Sequence, residues 1–337
     1  MSSYKMIDLF AGIGGIRLGF DKAFQNQTET VFISEIDPYA QITYENNFGF
    51  DIDIDGDITE IDEKQIPSFD ICLAGFPCQA FSIAGKKGGF NDDYYGKNRG
   101  NLFLEVVRIC KYHQPKVIFC ENVKGLLIHD GGKTFETIRL AFQYIGYKIH
   151  YKILNSKDFG LAQNRERIYI VCFRNDIDSS NFKFPEPLKK KVVLRDILED
   201  APISSKYYLS TAYLETLKKH KQRNIDAGNG FGFIIRDLDG ISGALVCGGM
   251  GRERNLIVDA REHSMIPVTR IKGEINVANV RKMTPREWAR LQGFDDDFIL
   301  SLADTHLYKQ LGNTVSVNVI EAVANEIKKV LNENKKR

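Results

Sequence analysis

The stretch Tyr4-Lys5-Met6-Ile7-Asp8-Leu9-Phe10-Ala11-Gly12-Ile13-Gly14-Gly15-Ile16-Arg17-Leu18-Gly19-Phe20 decides the fold. Its first seven residues form a mostly apolar run that predicts a strand. Ala11 to Gly15 predicts a tight turn, and residues 16–24 carry helical spacing. Glycines between a strand and a helix let the backbone approach a ligand closely. The dinucleotide fingerprint GxGxxG needs glycine where Arg17 stands, which disfavours NAD and a dehydrogenase.

The same alternation continues outward. Residues 31–34 predict a second strand and 40–48 a second helix. Further strands are expected over 69–73, 117–120, 148–154 and 168–173, with a helix over 102–112. Strands alternating with helices predict an α/β fold with a mostly parallel sheet. After Phe173 the pattern breaks. Phe184-Pro185-Glu186-Pro187 and Lys189-Lys190-Lys191 look like a linker. The stretch to about Asn279 is glycine-rich and is expected to be irregular, forming a smaller, loop-rich domain. Helical signals return over 284–292 and 316–331. The expected division is 1–179, 180–278 and a return to the first domain over 279–337.

Composition is that of a globular protein, 43% hydrophobic and 27% charged. Residues 180–275 hold 16 Lys and Arg against 12 Asp and Glu, an excess of four positive charges. The remainder of the chain carries two net negative charges. That asymmetry is compatible with nucleic acid as a partner and does not establish it. The six cysteines form no CxxC pair, and several lie in strand-like runs. Reduced thiols in a cytoplasmic protein are expected, with no zinc site. No signal peptide or membrane span is visible.

Cys78 follows the apolar run Ile71-Cys72-Leu73-Ala74 and the turn Gly75-Phe76-Pro77. In doubly wound folds the carboxyl ends of strands are where ligands bind. A thiol there, beside a proline that fixes the backbone, has the placement of a nucleophile. The bland alternative is an inert core cysteine. Glu35 ends the second strand, where a carboxylate can grip both ribose hydroxyls. Asp57 follows a third strand and could accept from an adenine amino group. With the glycine turn, these favour an adenosine ligand without pyrophosphate, namely S-adenosylmethionine. Glu121 ends the strand Val117-Ile118-Phe119-Cys120. A carboxylate there is costly to bury without a task or a partner. In Gln163-Asn164-Arg165-Glu166-Arg167 the two arginines alternate, which turns them the same way on an extended segment. They could clamp a phosphate, polarise a carbonyl, or pair with Glu121 or Glu166.

These residues, taken together, resemble the C5-cytosine DNA methyltransferases over nearly the whole chain. The matching segments run in family order. They are Phe10 to Gly15, Glu35, Gly56-Asp57-Ile58, Pro77 to Ser82, Glu121-Asn122-Val123 and Gln163 to Arg167. Arg281 to Glu287, Arg290 to Phe294 and Gly312 to Val317 follow. The resemblance implies a Rossmann-like, S-adenosylmethionine-dependent methyltransferase domain and a smaller target-recognition domain. It implies a Cys78 thiolate that adds to C6 of a flipped-out cytosine, and a Glu121 that protonates N3. Arg167, with Arg165 behind it, would hold the cytosine O2 and steady Glu121. The Phe76 carbonyl would accept from the exocyclic amine.

By the same resemblance, Phe10, Gly12, Ile13, Gly14, Gly15, Glu35, Ile36, Asp57, Ile58, Pro77, Leu102, Asn313 and Val315 would line the cofactor site. Residues 79–99 would form the loop that closes over DNA, with Gln79, Ser82 and Lys86 meeting it. In some relatives a serine of this loop fills the gap left by the flipped base. The matching place here is Ala84. Arg252 and Arg254, in Gly248-Gly249-Met250-Gly251-Arg252-Glu253-Arg254, form the candidate reading loop. The implied partners are duplex DNA and a cognate restriction endonuclease, with a monomer as the working form. A transfer-RNA cytosine methyltransferase shares the core motifs, but would carry a Cys-Phe-Thr element where this chain has only Val246-Cys247-Gly248. A non-catalytic DNA-binding regulator would have no use for Cys78, Glu121 and Arg167 together.

Overall fold

The computed structural model describes residues 3–25, 27–77, 102–264 and 273–335, with the backbone of 93–94 and 97–98. The chain divides into two compact units. The first holds Met1–Asn155, Glu166–Pro187 and Val315–Arg337, and the second Ser156–Arg165 and Leu188–Thr314.

The first unit is built on a seven-stranded sheet. Its strands are β1 (Tyr4–Leu9), β2 (Thr28–Ser34), β3 (Ile54–Asp55), β4 (Ile71–Ala74), β5 (Val117–Val123), β6 (Tyr147–Asn155) and β7 (Glu166–Arg174). The order across the sheet is β3-β2-β1-β4-β5-β7-β6. The first five run parallel, and β7 is antiparallel to both β5 and β6. Strand β4 and the first four residues of β5 are apolar and buried, as expected of strands covered on both faces of a parallel sheet. Helix α1 (Gly15–Phe24) follows β1, α2 (Pro38–Phe48) follows β2, and α3 (Leu102–His113) precedes β5. Helix α4 (Lys133–Tyr144) is a further element that the sequence pattern did not signal. The C-terminal helix Val317–Lys335 packs on α1 at Gly19. A Cβ at that glycine would lie 2.6 Å from Cβ of Ile320, so only glycine lets the two helices come this close.

Asp8 is fully buried, and the Tyr44 hydroxyl donates to its Oδ2 at 3.2 Å. Arg17 in turn donates to the Tyr44 oxygen at 3.2 Å and lies 4.4 Å over the Phe48 ring. Burial pushes the Asp8 carboxyl up to about 7, against the opposing pull of Arg17 and Tyr44. A carboxyl raised in the folded state adds stability that is complete below its unfolded value and lost as pH rises to 7. Asp8→Asn can still accept from Tyr44 but does not titrate. The variant should therefore gain on the wild type by roughly 1.4 kcal/mol per pH unit between about pH 5 and 7. Paired denaturant titrations across that range check this. A pH-independent difference would exclude Asp8 as the titrating group.

The second unit departs from the irregular stretch expected. It contains a 16-residue helix, Thr211–Asp226, and a three-stranded sheet of Ile235–Arg236, Leu256–Val258 and Val280–Lys282. The helix is rich in Lys and Arg and buries only Leu214 and Leu217, so its apolar stripe is too sparse to show periodicity. Those leucines join Leu209, Phe233, Leu256 and Val280 in a small core. Helices Pro285–Gln292 and Asp304–Asn313 complete the unit.

Candidate active site

Strands β1, β2 and β4 end in one row, level with Cys120 of the longer neighbouring β5. The register places Ser34, Leu9, Ala74 and Cys120 in one row across β2, β1, β4 and β5. The residues that follow this row are Glu35, Phe10, Gly75 and Glu121. The carboxyl edge of the sheet therefore sets Glu35 and Phe10 in sequence with Gly75 and Glu121.

On the β1 side, the turn is shaped by backbone that only certain residues tolerate. Gly12 and Gly14 have φ of 56° and 79°, and Phe10 itself has φ of 57°. A bulky residue in that region is strained, and such strain collects at functional sites. A Cβ at Gly12 would meet nothing within 4 Å, whereas one at Gly14 would lie 2.2 Å from the Phe48 ring. Gly14 is thus needed for packing, and Gly12 borders open space. Beside it, Glu35 accepts from the Gly12 amide at 2.7 Å and from the Asp37 amide at 2.7 Å. Burial raises the Glu35 carboxyl above its ordinary range, while the two amides pull it down.

Ile36 is exposed and Ile58 buried. Asp57 caps a short helix by accepting from the Thr59 amide and hydroxyl at 3.1 and 2.7 Å. Ile13, Gly15 and Val315 are buried, and Leu102 is half-buried against the main core with Phe10. Asn313 ends a helix of the second unit and is exposed.

On the β5 side, Glu121 is nearly buried, and Arg167 of the adjoining β7 approaches its Oε1 at 3.3 Å. The expected pairing of Arg167 with Glu121 is present. Arg165 belongs to the second unit and is buried there. Its guanidinium donates to the carbonyls of Leu245 at 3.0 Å and Thr314 at 2.6 Å, a clamp on two distant segments that the sequence did not suggest. Phe76 and Pro77 follow β4, with the Phe76 ring buried 5.7 Å from that of Phe103. Asn122, whose residue type alone signals no role, is buried, and its Nδ2 donates to the Phe76 carbonyl at 3.2 Å.

Cys78, Gln79, Ser82 and Lys86 lie outside the described residues. The other cysteines narrow the choice of nucleophile. Cys72, Cys110, Cys120 and Cys172 are fully buried in the main core, and burial pushes each thiol above its ordinary range. Such thiols are inert. In the second unit, Cys247 is exposed. The Arg252 guanidinium there lies 5.3 Å over the Tyr308 ring and that of Arg254 lies 5.6 Å over Phe231. A Cβ at Gly248 or Gly249 would meet nothing within 4 Å, so this loop borders open space too.

The model of the C-5 cytosine-specific DNA methylases matches residues 4–329. The type II methyltransferase M.HpaII of Haemophilus parainfluenzae is 52% identical over 329 residues, covering 96% of this chain and 89% of the relative. M.HhaI of Haemophilus parahaemolyticus is 38% identical over 340 residues, covering 98% and 96%. Among solved structures, the Entamoeba histolytica methyltransferase EhMeth matches with a TM-score of 0.77 at 22% identity, over 100% of both chains. At that identity the likeness speaks for the fold.

Proposed function

The chain belongs to the C-5 cytosine-specific DNA methylases, and from that premise we propose how its residues methylate a cytosine flipped out of a short duplex sequence. The observation that carries this reading is the row of strand ends, with Glu35 and Phe10 at one side and Phe76-Pro77 and Glu121 at the other. The family's cofactor is S-adenosylmethionine, and the residues present fit it. Open space at Gly12, two amide-bonded oxygens on Glu35 and the exposed Ile36 suit an adenosine. Glu35 would hold the ribose hydroxyls, Asp57 the adenine amino group, and Phe10, Ile13, Ile36, Ile58, Leu102 and Val315 the apolar surfaces. When bound, the cofactor supplies an electrophilic methyl on a sulfonium.

The chain's own residues do the rest. Cytosine C5 is too poor a nucleophile to take that methyl unaided. The Cys78 thiolate adds to C6, and Glu121 gives a proton to N3 as charge builds on the ring. The product is an enamine whose C5 is nucleophilic. Arg167 meets O2 and keeps Glu121 in place, and the Phe76 carbonyl accepts from N4. After transfer, the C5 proton leaves to a base, the electron pair of that C–H bond expels the Cys78 thiolate from C6, and N3 returns its proton to Glu121. Stacking covers the ring face that the Cys78 thiolate must attack, and pairing occupies N3, so the base must swing out.

If Glu35 holds the ribose, Glu35→Ala should weaken S-adenosylhomocysteine binding by about 1.5–3 kcal/mol, the scale of hydrogen bonds to a charged group. Calorimetric titration measures it, and equal affinity of variant and wild type would remove Glu35 from the site.

Residues 180–278 choose the DNA sequence in this reading. The excess of positive charge and the open Gly248-Gly249 backbone support it. Loss of a base-reading Arg252 or Arg254 should cost about 1–3 kcal/mol at one base pair. Loss of a phosphate contact should weaken all sequences alike and lower the salt slope by about one. Arg252→Ala and Arg254→Ala, tested on single-base site variants at two salt concentrations, are expected to relax specificity. Full retention of sequence preference by both would exclude this loop as the reader.

The type II relatives support a place in a restriction-modification system. A cognate endonuclease is the proposed partner, and a cytoplasmic monomer the working form. No helix among the described residues is long and apolar enough to cross a membrane. Transfer of a tritiated methyl group to duplex DNA, with transfer RNA as the second substrate, tests the function. Label is expected in DNA as 5-methylcytosine, and label in RNA alone would overturn the reading. Bisulfite sequencing of a methylated plasmid then gives the site.

A further inference from the structure

We propose that Asn122 is a positioning residue for the target base, fixing the Phe76 carbonyl in register with the Glu121 carboxyl so that the two groups meet the N4 and N3 atoms of cytosine together. The inference rests on the roles given above to Phe76 and Glu121.

Strands β4 and β5 pair in parallel, and their ladder reaches Ala74 opposite Cys120. Two residues beyond that pair, where β4 has ended and β5 continues, the Asn122 side chain supplies the link, from Nδ2 to the Phe76 oxygen at 3.2 Å. The other end of the same amide is also engaged, because its Oδ1 accepts from the Val123 amide at 2.9 Å. Asn122 is 1% exposed. Its amide therefore has one donor end and one acceptor end fixed, and cannot flip without losing both bonds.

The carbonyl it holds belongs to the peptide joining Phe76 to Pro77, the last peptide before the one that leads to Cys78. Proline has no N–H, so no hydrogen bond from its own nitrogen can hold this peptide plane. A carbonyl oxygen has two acceptor lone pairs. Asn122 occupies one, and the second is left with a defined direction. Asn122 is also the residue next to Glu121 on β5, so one strand carries the N3 group and fixes the N4 group.

This arrangement has a consequence for base choice. A fixed acceptor suits the amino group at C4 of cytosine. At C4 of uracil there is a carbonyl oxygen, which would face the Phe76 oxygen with no proton between them. Rejection by unpaired polar groups is strong only where those groups cannot turn away.

Two variants test this in the full-length protein. Asn122→Asp keeps the shape of the side chain but removes its donor, and Asn122→Ala removes the bond altogether. The measurements are kcat and KM on duplex DNA, S-adenosylhomocysteine affinity, melting temperature, and covalent capture by duplexes with 5-fluorocytosine or 5-fluorouracil at the target position. We expect kcat to fall ~tenfold or more in both variants, the rate equivalent of one hydrogen bond. We expect cofactor affinity within about twofold of wild type, and a loss of preference for cytosine over uracil by a similar ~tenfold factor. Wild-type kcat and preference in both variants would overturn the proposal while leaving the methyltransferase reading intact. So would a loss of kcat that tracks equal losses of cofactor affinity and melting temperature with the preference unchanged, since Asn122 would then serve the fold alone. A wild-type protein that methylates no DNA would instead overturn the reading on which the proposal stands.

Discussion

Cys78→Ser is expected to abolish methyl transfer while leaving cofactor binding unchanged. The thiolate is the attacking species, and a serine hydroxyl provides almost no anion near neutral pH. The loss should be roughly four orders of magnitude or more, the scale on which removal of a covalent nucleophile acts. No other described cysteine of the first unit is a substitute, because Cys72, Cys110, Cys120 and Cys172 are buried in the core with their thiols held protonated. The cofactor residues proposed on β1 and β2 lie outside the substitution, so calorimetric titration with S-adenosylhomocysteine should give the wild-type affinity. Turnover by the serine variant within tenfold of wild type would remove Cys78 from the mechanism.

Arg281→Met should be the most damaging change to the fold of the second unit. Arg281 has no exposed surface. It makes a two-pronged pair with Glu287, at 2.7 Å for each contact, and its Nε meets Asp259 at 2.8 Å. Glu287 also accepts from the Thr284 amide at 2.8 Å, closing the capping box of helix Pro285–Gln292. Burial pushes the Asp259 carboxyl up, but hydrogen bonds from Arg261 and Arg281 outweigh it and hold the group well below the usual carboxylate range. Methionine fills much of the same volume but leaves a buried Glu287 without its cation. Breaking a buried pair in this way costs about 3–5 kcal/mol, more than the pair itself contributes over an apolar replacement. Denaturant unfolding at neutral pH should show that loss. A shift below about 1 kcal/mol would mean that Glu287 takes up a proton or another partner without strain.

The fold was legible where apolar runs were long and punctuated. Strand β1, its glycine turn and α1 follow from one stretch, because burial on both sides of the strand and backbone freedom at Gly12 and Gly14 leave marks in residue type. Helix Thr211–Asp226 left no such mark, since it buries just two leucines and its propensity is hidden among charges. The site was legible as a set of residue types and not as a set of bonds. Glu121 and Arg167 could be paired on paper because they are the charged residues at two strand ends. Arg165 could not be assigned to Thr314, which is 149 residues away, nor Asn122 to Phe76, which is 46 away. Both bonds run between a side chain and a backbone carbonyl, and every residue carries one of those, so residue type does not reveal the partner.

The covalent step through Cys78 is the central claim, and duplex DNA carrying 5-fluorocytosine at the target position tests it most directly. Once C5 carries both the methyl group and fluorine, it has no proton to lose, so the electrons that would expel the thiolate are not released. With S-adenosylmethionine present, the protein should become joined to the DNA, survive denaturing electrophoresis as a single larger species, and yield a DNA-linked peptide containing Cys78. Methylation of ordinary duplex at the same site with no covalent species on the fluorinated one, or a linked peptide that lacks Cys78, would contradict the account.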